Sequence, residues 1–304
     1  MNRIPLIYIA SNGRSGSTLL DILLGLQPEL WTMGEVHVLP WELREHWEPC
    51  GCGTRIDECA FWSEVLAELP AEKPPVPIEH FRTSHGSGKV LRWGLLPGLA
   101  RGRFAPRQQA AIEAYGESNE RFYRAVWKAA SARRDGKLRW LVDASKDPYR
   151  LAWLQASGRF DIRVVHLVKD PRAFVYSMTK RELPHAPYLA TRYALRWMIE
   201  NKLFSTLRSS SFAPAASVCI RYEDLAQEPA QVLERLGDWL GTSFELEAPE
   251  RFRATKLHGV SGNDMRWQDT GIKLDTRWHT GLPASYARSI WALTRPVRRQ
   301  LGYS

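Results

Sequence analysis

The sequence predicts an α/β fold: a mostly parallel central sheet flanked by helices, with an irregular and helical insertion over about residues 42–135. Three observations predict it. Short β-branched apolar runs recur along the chain, runs of helical periodicity lie between them, and each apolar run ends in polar, glycine-rich or charged residues.

Ile4-Pro-Leu-Ile-Tyr-Ile-Ala10 reads as a buried first strand. It enters the polar turn Ser11-Asn-Gly-Arg-Ser-Gly-Ser-Thr18. The apolar run Leu19-Leu-Asp-Ile-Leu-Leu24 then makes a core-facing helix that Pro28 closes. Residues 31–33 form a short second strand ending at Gly34-Glu35, and 138–142, 162–168 and 217–220 are further strands. Helical patterns cover 172–182, 187–208 and 229–240. Residues 70–108 break the alternation with recurring Pro, Gly and Arg, and read as an excursion over the sheet, either an acceptor-binding lid or a plain surface loop. Ile112, Tyr115, Asn119, Phe122, Val126 and Ala129 then recur at helical spacing and return the chain to the sheet. With no internal repeat, residues 1–304 are expected to form one domain.

Composition narrows the function classes. With 44% hydrophobic and 25% charged residues, the chain is neither collagen-like nor disordered. No apolar run approaches the roughly 20 residues of a membrane span. Four cysteines are too few for a disulfide scaffold. Residues 1–10 lack the long apolar stretch and small-residue cleavage site of a secretory signal, so a cytoplasmic location is expected. The 42 Lys+Arg outnumber the 33 Asp+Glu and leave a net charge of +9, which fits an anionic partner or a basic surface tuned for solubility.

Gly13-Arg-Ser-Gly-Ser-Thr18, between a strand and a helix, is a P-loop-like anion cradle: glycines let backbone N–H groups turn inward and the helix start adds positive charge. It departs from the nucleoside-triphosphate loop, because Ser11 replaces the first glycine and Ser17 the lysine. Arg14, Ser15, Ser17 and Thr18 instead suit a single terminal phosphate group.

Gly13-Arg-Ser-Gly-Ser-Thr-Leu-Leu20 resembles the 5′-phosphosulfate loop of the sulfotransferase superfamily, whose members use 3′-phosphoadenosine-5′-phosphosulfate (PAPS). His166-Leu-Val-Lys-Asp-Pro-Arg-Ala-Phe-Val-Tyr-Ser177 resembles the superfamily's 3′-phosphate motif, with Lys169 where arginine is usual and Ser177 at the matching spacing. Lysine keeps the charge and gives up the bidentate fork. Arg181 falls where tyrosylprotein-type members place a further cofactor arginine. Asp143-Ala-Ser-Lys-Asp-Pro148 is similar to the superfamily's K-D-P segment, and Ile220-Arg-Tyr-Glu-Asp-Leu225 to its R-Y-E-D-L signature, which makes Tyr222 a cofactor contact. Val260-Ser-Gly-Asn-Asp-Met-Arg266, continued by Gly271-Ile-Lys273, looks like the late loop that folds over the cofactor. The resemblance covers residues 4–40 and 138–281, and its loops are most like the tyrosylprotein branch.

The strands arrange these residues sensibly. Arg14, Glu35, Lys146, Lys169 and Tyr222 each follow a strand end, where open parallel sheets collect ligands. The resemblance implies sulfuryl transfer from PAPS to a hydroxyl acceptor (a phenol, tyrosine, sugar or metabolite) by in-line displacement that needs no metal. Glu35, 21 residues after Arg14, stands where tyrosylprotein enzymes keep a glutamate base. The competing readings are that Glu35 pairs with and orients Arg14, or that His37 is the base. Lys146 and Arg14 are expected to stabilise charge developing on the transferred group, and Ser261 matches a stabilising serine. Gly13, Gly16, Arg266 and Lys273 complete the expected cofactor seat.

Cys50, Cys52 and Cys59 with His46 allow a zinc site, but the irregular spacing favours a reduced trio or one local disulfide, and Cys219 reads as core. Trp41, Trp47, Trp93 and Trp278 are candidates for an aromatic wall beside the cleft. Two rival functions remain. A P-loop nucleotide kinase would need the missing lysine. A nucleic-acid-binding protein would need a contiguous basic, aromatic-interleaved stretch, which the sequence lacks, so nucleic acid is not an expected partner.

Overall fold

The computed structural model describes residues 3–46, 48–69, 91–179, 188–209, 216–251, 256–267 and 271–304. Five strands, β1 (Ile4–Ser11), β2 (Leu30–Thr32), β3 (Trp140–Asp143), β4 (Phe160–Val168) and β5 (Ala216–Arg221), form one sheet in the order β2-β3-β1-β4-β5. Every pairing is parallel. All five fall within two residues of the expected runs, and the doubly flanked parallel sheet is the expected architecture. β1 is central, pairing Tyr8 with Asp143 on one side and with Val164 on the other. Both of its faces are covered, which accounts for an unbroken apolar run where a half-exposed strand would alternate.

The alternation appears instead in where the side chains go. Leu6 and Tyr8 enter one core with Phe122, Tyr123 and Phe204, whereas Ile7 and Ile9 enter the other with Leu20, Leu23 and Leu236. The first core lies under α3 (Ala60–Ala67) and α5 (Pro106–Ala132) of the insertion and α6 (Pro148–Ala156), the second under α1 (Ser17–Gly25) and α10 (Pro229–Leu240). Here α2 is Leu39–Glu45 and α4 is Leu96–Arg101, while α7 (Pro171–Thr179), α8 (Tyr188–Ser209) and α9 (Tyr222–Gln227) follow in the second half. A third apolar cluster joins α7, α8 and the helix Ala284–Leu293.

Of the expected excursion at 70–108, residues 70–90 lie outside the described residues, and 91–108 contain α4 and the first turn of α5. At 27 residues, α5 is longer than its apolar periodicity indicates. Pro106 starts it, and the Gln108 side chain accepts the Ala105 N–H at 3.2 Å. No described helix is long and apolar enough to cross a membrane.

Two expectations need correction. Trp41 is buried in the first core and so is not available for the expected aromatic wall, while Trp278 is partly buried with the Arg172 guanidinium 4.5 Å from its ring centre. Trp93 is exposed and Trp47 lies outside the described residues. Cys219 is only partly buried, at the margin of the third cluster.

Candidate active site

The loop between β1 and α1 reverses twice through the left-handed region, at Arg14 (φ 67°) and Gly16 (φ 88°). Gly16 caps α1, no side chain caps that helix, and its first turn carries no acid. The leading N–H groups and the positive end of the helix dipole are therefore left for an anion. Ser15 is fully buried, and its hydroxyl has no hydrogen-bond partner among the described residues. Such a group implies a ligand oxygen or water at that position. A Cβ on Gly16 would lie 2.3 Å from the Tyr222 ring, so only glycine lets the loop pass under Tyr222. Asn12 anchors the loop to α8: it donates to Glu200 at 2.5 Å and accepts from Asn201 at 2.6 Å.

Glu35 follows β2 by way of Gly34 (φ 70°), which bridges to Val260. The Glu35 N–H donates to the Val260 carbonyl at 2.7 Å, and the Val260 N–H to Met33 at 2.8 Å. This two-rung bridge sets Ser261, itself at φ 55°, directly beside Glu35 in the backbone framework. The Glu35 carboxylate accepts a hydrogen bond from the Lys146 ammonium, and both side chains are largely buried. Its ion-pair partner is thus Lys146, and not the Arg14 of the competing reading. His37 is buried on a short turn after Glu35, with its backbone N–H on the Ser145 hydroxyl at 3.3 Å.

Lys146 has φ 58°, and its surroundings hold that conformation from both sides. The Asp143 carboxylate accepts the Ser145 N–H at 2.7 Å. The Tyr8 hydroxyl donates to the Asp147 carbonyl at 2.8 Å and accepts its N–H at 3.0 Å. Behind Asp143 stands the fully buried Arg150, bonded to Asp143 (3.1 Å), Asn119 (2.9 Å), Tyr115 (2.5 Å) and Tyr123 (2.8 Å). This network couples α5 of the insertion to the Lys146 loop. Arg14, Lys146 and Ser261 are three of the five described non-glycine residues with positive φ. Backbone strain is therefore concentrated at the candidate site.

Asp21, on α1, is a neighbour that sequence reasoning passed over. Burial pushes its carboxyl up to about 8, with Glu35 and Asp143 adding to the effect and Lys146 opposing it. Its signal in the sequence is a lone acid inside Leu19-Leu-Asp-Ile-Leu-Leu24.

At the other end, Lys169 is 4% exposed and lies 4.4 Å over the Tyr222 ring centre. Burial pulls its ammonium below the usual lysine range, Asp275 and Glu223 oppose this, and the nearby Arg14 charge adds to it. The Trp197 indole donates to the Lys169 carbonyl at 2.9 Å, and the Tyr222 hydroxyl accepts the Asp275 N–H at 3.4 Å. Ser177 is partly buried on α7, Lys273 is exposed, and Arg181 lies outside the described residues. Thr18 accepts the Asn263 N–H at 3.0 Å, tying the late loop to the phosphate loop. The Arg266 guanidinium donates to the Ser261 carbonyl at 2.6 Å and pairs with Glu48 at 2.6 Å, which holds the late loop, while its buried Nε has no hydrogen-bond partner among the described residues.

A parallel sheet with an anion loop after its first strand and an ion-paired Glu–Lys couple beside it defines a group-transfer site of the P-loop type. Residues 5–246 match the model of the Sulfotransferase family, and the chain belongs to that family. A Caenorhabditis elegans protein named "Putative protein-tyrosine sulfotransferase" is 30% identical over 137 residues, covering 42% of this chain and 51% of that protein. A Caenorhabditis briggsae protein of the same name is 26% identical over 105 residues, 33% of this chain and 37% of its own length. The matched regions thus span about half, or less, of these curated relatives. Among solved structures, the sulfotransferase domain of the curacin biosynthetic pathway aligns with a TM-score of 0.56 at 20% identity, covering 100% of this chain and 99% of that one. The sulfotransferase domain of the Synechococcus PCC 7002 olefin synthase aligns with a TM-score of 0.55 at 22% identity, covering 97% and 95%. These two share the fold.

Proposed function

We propose that this protein transfers the sulfuryl group of PAPS to a hydroxyl acceptor, with Glu35 as the general base. The single observation that carries the reading is the buried Glu35–Lys146 pair set beside an uncapped anion loop. Bound PAPS supplies an activated sulfuryl group on a good leaving phosphate. Gly13, Arg14, Ser15, Gly16, Ser17 and Thr18 are assigned to its 5′ end, where the partnerless Ser15 hydroxyl and the open helix start suit phosphate oxygens. Lys169, Tyr222 and Ser177 are assigned to the adenosine 3′-phosphate side, with Arg181 and Lys273 as further cations.

Glu35 takes the proton of the acceptor hydroxyl as the oxygen attacks. As Glu35 becomes protonated its hold on the Lys146 ammonium weakens, leaving that charge to stabilise what develops on the sulfuryl and bridging oxygens, and Arg14 and Ser261 share that work. A cation already held at the reacting centre needs little reorganisation, which is what in-line transfer demands of the protein. Absence of the lysine at Ser17 argues against nucleoside triphosphate as donor.

The curated relatives are named for protein tyrosine, so a tyrosine phenol is the first acceptor to test. Incubation with radiolabelled PAPS and a panel of tyrosine peptides, phenols and sugars should label at least one hydroxyl class. Magnesium-dependent ATP turnover with no transfer from PAPS would overturn the reading in favour of a kinase.

A further inference from the structure

Cys50, Cys52, Cys59 and His258 bring one donor atom each to within 4.8 Å of all the others. The Cys52 and Cys59 sulfurs are 3.7 Å apart, and the Cys59 sulfur is 3.2 Å from His258 Nδ1. Tetrahedral zinc with bonds of about 2.3 Å to sulfur and about 2.0 Å to nitrogen has donor–donor edges of roughly 3.5–3.8 Å. The four donors are thus near a tetrahedral set. His46, the histidine close in sequence, is not among them: its ring faces Arg55 at 3.0 Å and Asp57 at 3.8 Å. No disulfide joins the cysteines, all four of which are free thiols.

The backbone around the cluster is built to bring the two segments together. A Cβ on Gly51 would lie 2.4 Å from the Leu257 carbonyl, so glycine alone lets the Cys50–Cys52 turn reach the segment that carries His258. The Gly51 N–H donates to the Gly259 carbonyl at 2.9 Å. The turn itself is closed by Cys50 N–H to Thr54 (2.8 Å) and Gly53 N–H to Cys50 (2.8 Å). The Trp62 indole donates to the His258 carbonyl at 2.9 Å, and the His258 ring stacks on Phe61 at 5.4 Å. Cys50 and Cys59 are buried, while Cys52 and His258 are partly so. The Arg133 guanidinium lies 5.4 Å over Phe61, placing positive charge beside a set whose zinc complex would carry about −1.

We propose that Cys50, Cys52, Cys59 and His258 bind a structural zinc ion that staples the insertion to the late active-site loop. Three thiols give up their protons, the imidazole binds neutral through Nδ1, and four protein donors leave no position for substrate, so the ion acts on the fold and not on the reaction. The consequence is local: His258 is two residues before Val260, whose carbonyl accepts the Glu35 N–H, and three before Ser261. A cross-link 199 residues apart in sequence thus fixes the register of the Glu35–Val260 bridge. The inference does not depend on the identity of the donor or acceptor.

The test is zinc content of the full chain purified under reducing conditions without chelator, by plasma mass spectrometry. About one zinc per chain is expected, released in step with titration of three thiols by a mercurial reagent. Cys59→Ser and His258→Ala should lose it, and His46→Ala should keep it. Should those variants fail to fold, the wild-type protein supplies the second reading. Chelation should lower its Tm and zinc should restore it, and cobalt should give tetrahedral d–d and thiolate charge-transfer bands. A protein with no bound metal and three freely titrating thiols overturns the proposal. So does a non-reduced peptide map showing a Cys52–Cys59 disulfide, or zinc that survives both His258→Ala and Cys59→Ser.

Discussion

Glu35 and Lys146 are each the other's closest charge, a pairing that neither residue's sequence neighbours announce. Glu35→Gln should lower kcat by about 10²- to 10⁴-fold, the usual worth of a positioned base, with nucleotide binding retained. Full activity in that variant would remove Glu35 from the base role and return His37 to it. Asp21 gives a prediction with a pH sign. Its folded carboxyl titrates at about 8 instead of 3.8, so the fold holds a proton that the unfolded chain releases. Stability is therefore undiminished below about pH 4, falls as pH rises toward 8, and stays at the lower level above it. Asp21→Asn should remove that fall. The difference in unfolding free energy between variant and wild type, from denaturant titrations, should widen from pH 5 to pH 8 by an amount on the order of a few kcal/mol. A constant difference would mean Asp21 is ionised in the fold.

At the scale of elements, the phosphate loop and the β3–α6 turn are the two that the site cannot spare. Gly16→Ala puts a methyl group into the Tyr222 ring and a side chain at φ 88°. It should cost about 1–3 kcal/mol and abolish nucleotide binding. Adding Tyr222→Ala should recover part of the stability, because the two effects share one clash. Behind the β3–α6 turn, Arg150→Met on α6 strands the Asp143 carboxylate in the core and should cost about 3–5 kcal/mol in denaturant unfolding. An effect under 1 kcal/mol would show that the Arg150 network does not hold the Lys146 loop.

The strands and most helices were legible because their apolar runs are local. β1, β4 and α10 begin and end within two residues of where residue patterns put them. The late loop was recognisable by its motif but its contacts were not, because they come from afar: Arg266 finds Glu48, and His258 finds three cysteines, across separations that no spacing rule spans. Arg150 was invisible for the same reason, since a lone arginine after K-D-P says nothing of the tyrosines on α5 that receive it.

At the scale of the whole molecule, the sheet delivers five loops to one edge, and the proposed nucleotide lies across them, from the Ser15 hydroxyl to the Lys169 ammonium. Calorimetry with adenosine 3′,5′-bisphosphate tests this most directly, run on wild type and Lys169→Ala and compared with adenosine 5′-monophosphate. Wild type should bind the bisphosphate at least ~10-fold more tightly than the monophosphate, and Lys169→Ala should lose roughly 10- to 100-fold for the bisphosphate alone. No heat of binding, or equal affinity for the two nucleotides in both proteins, would contradict it.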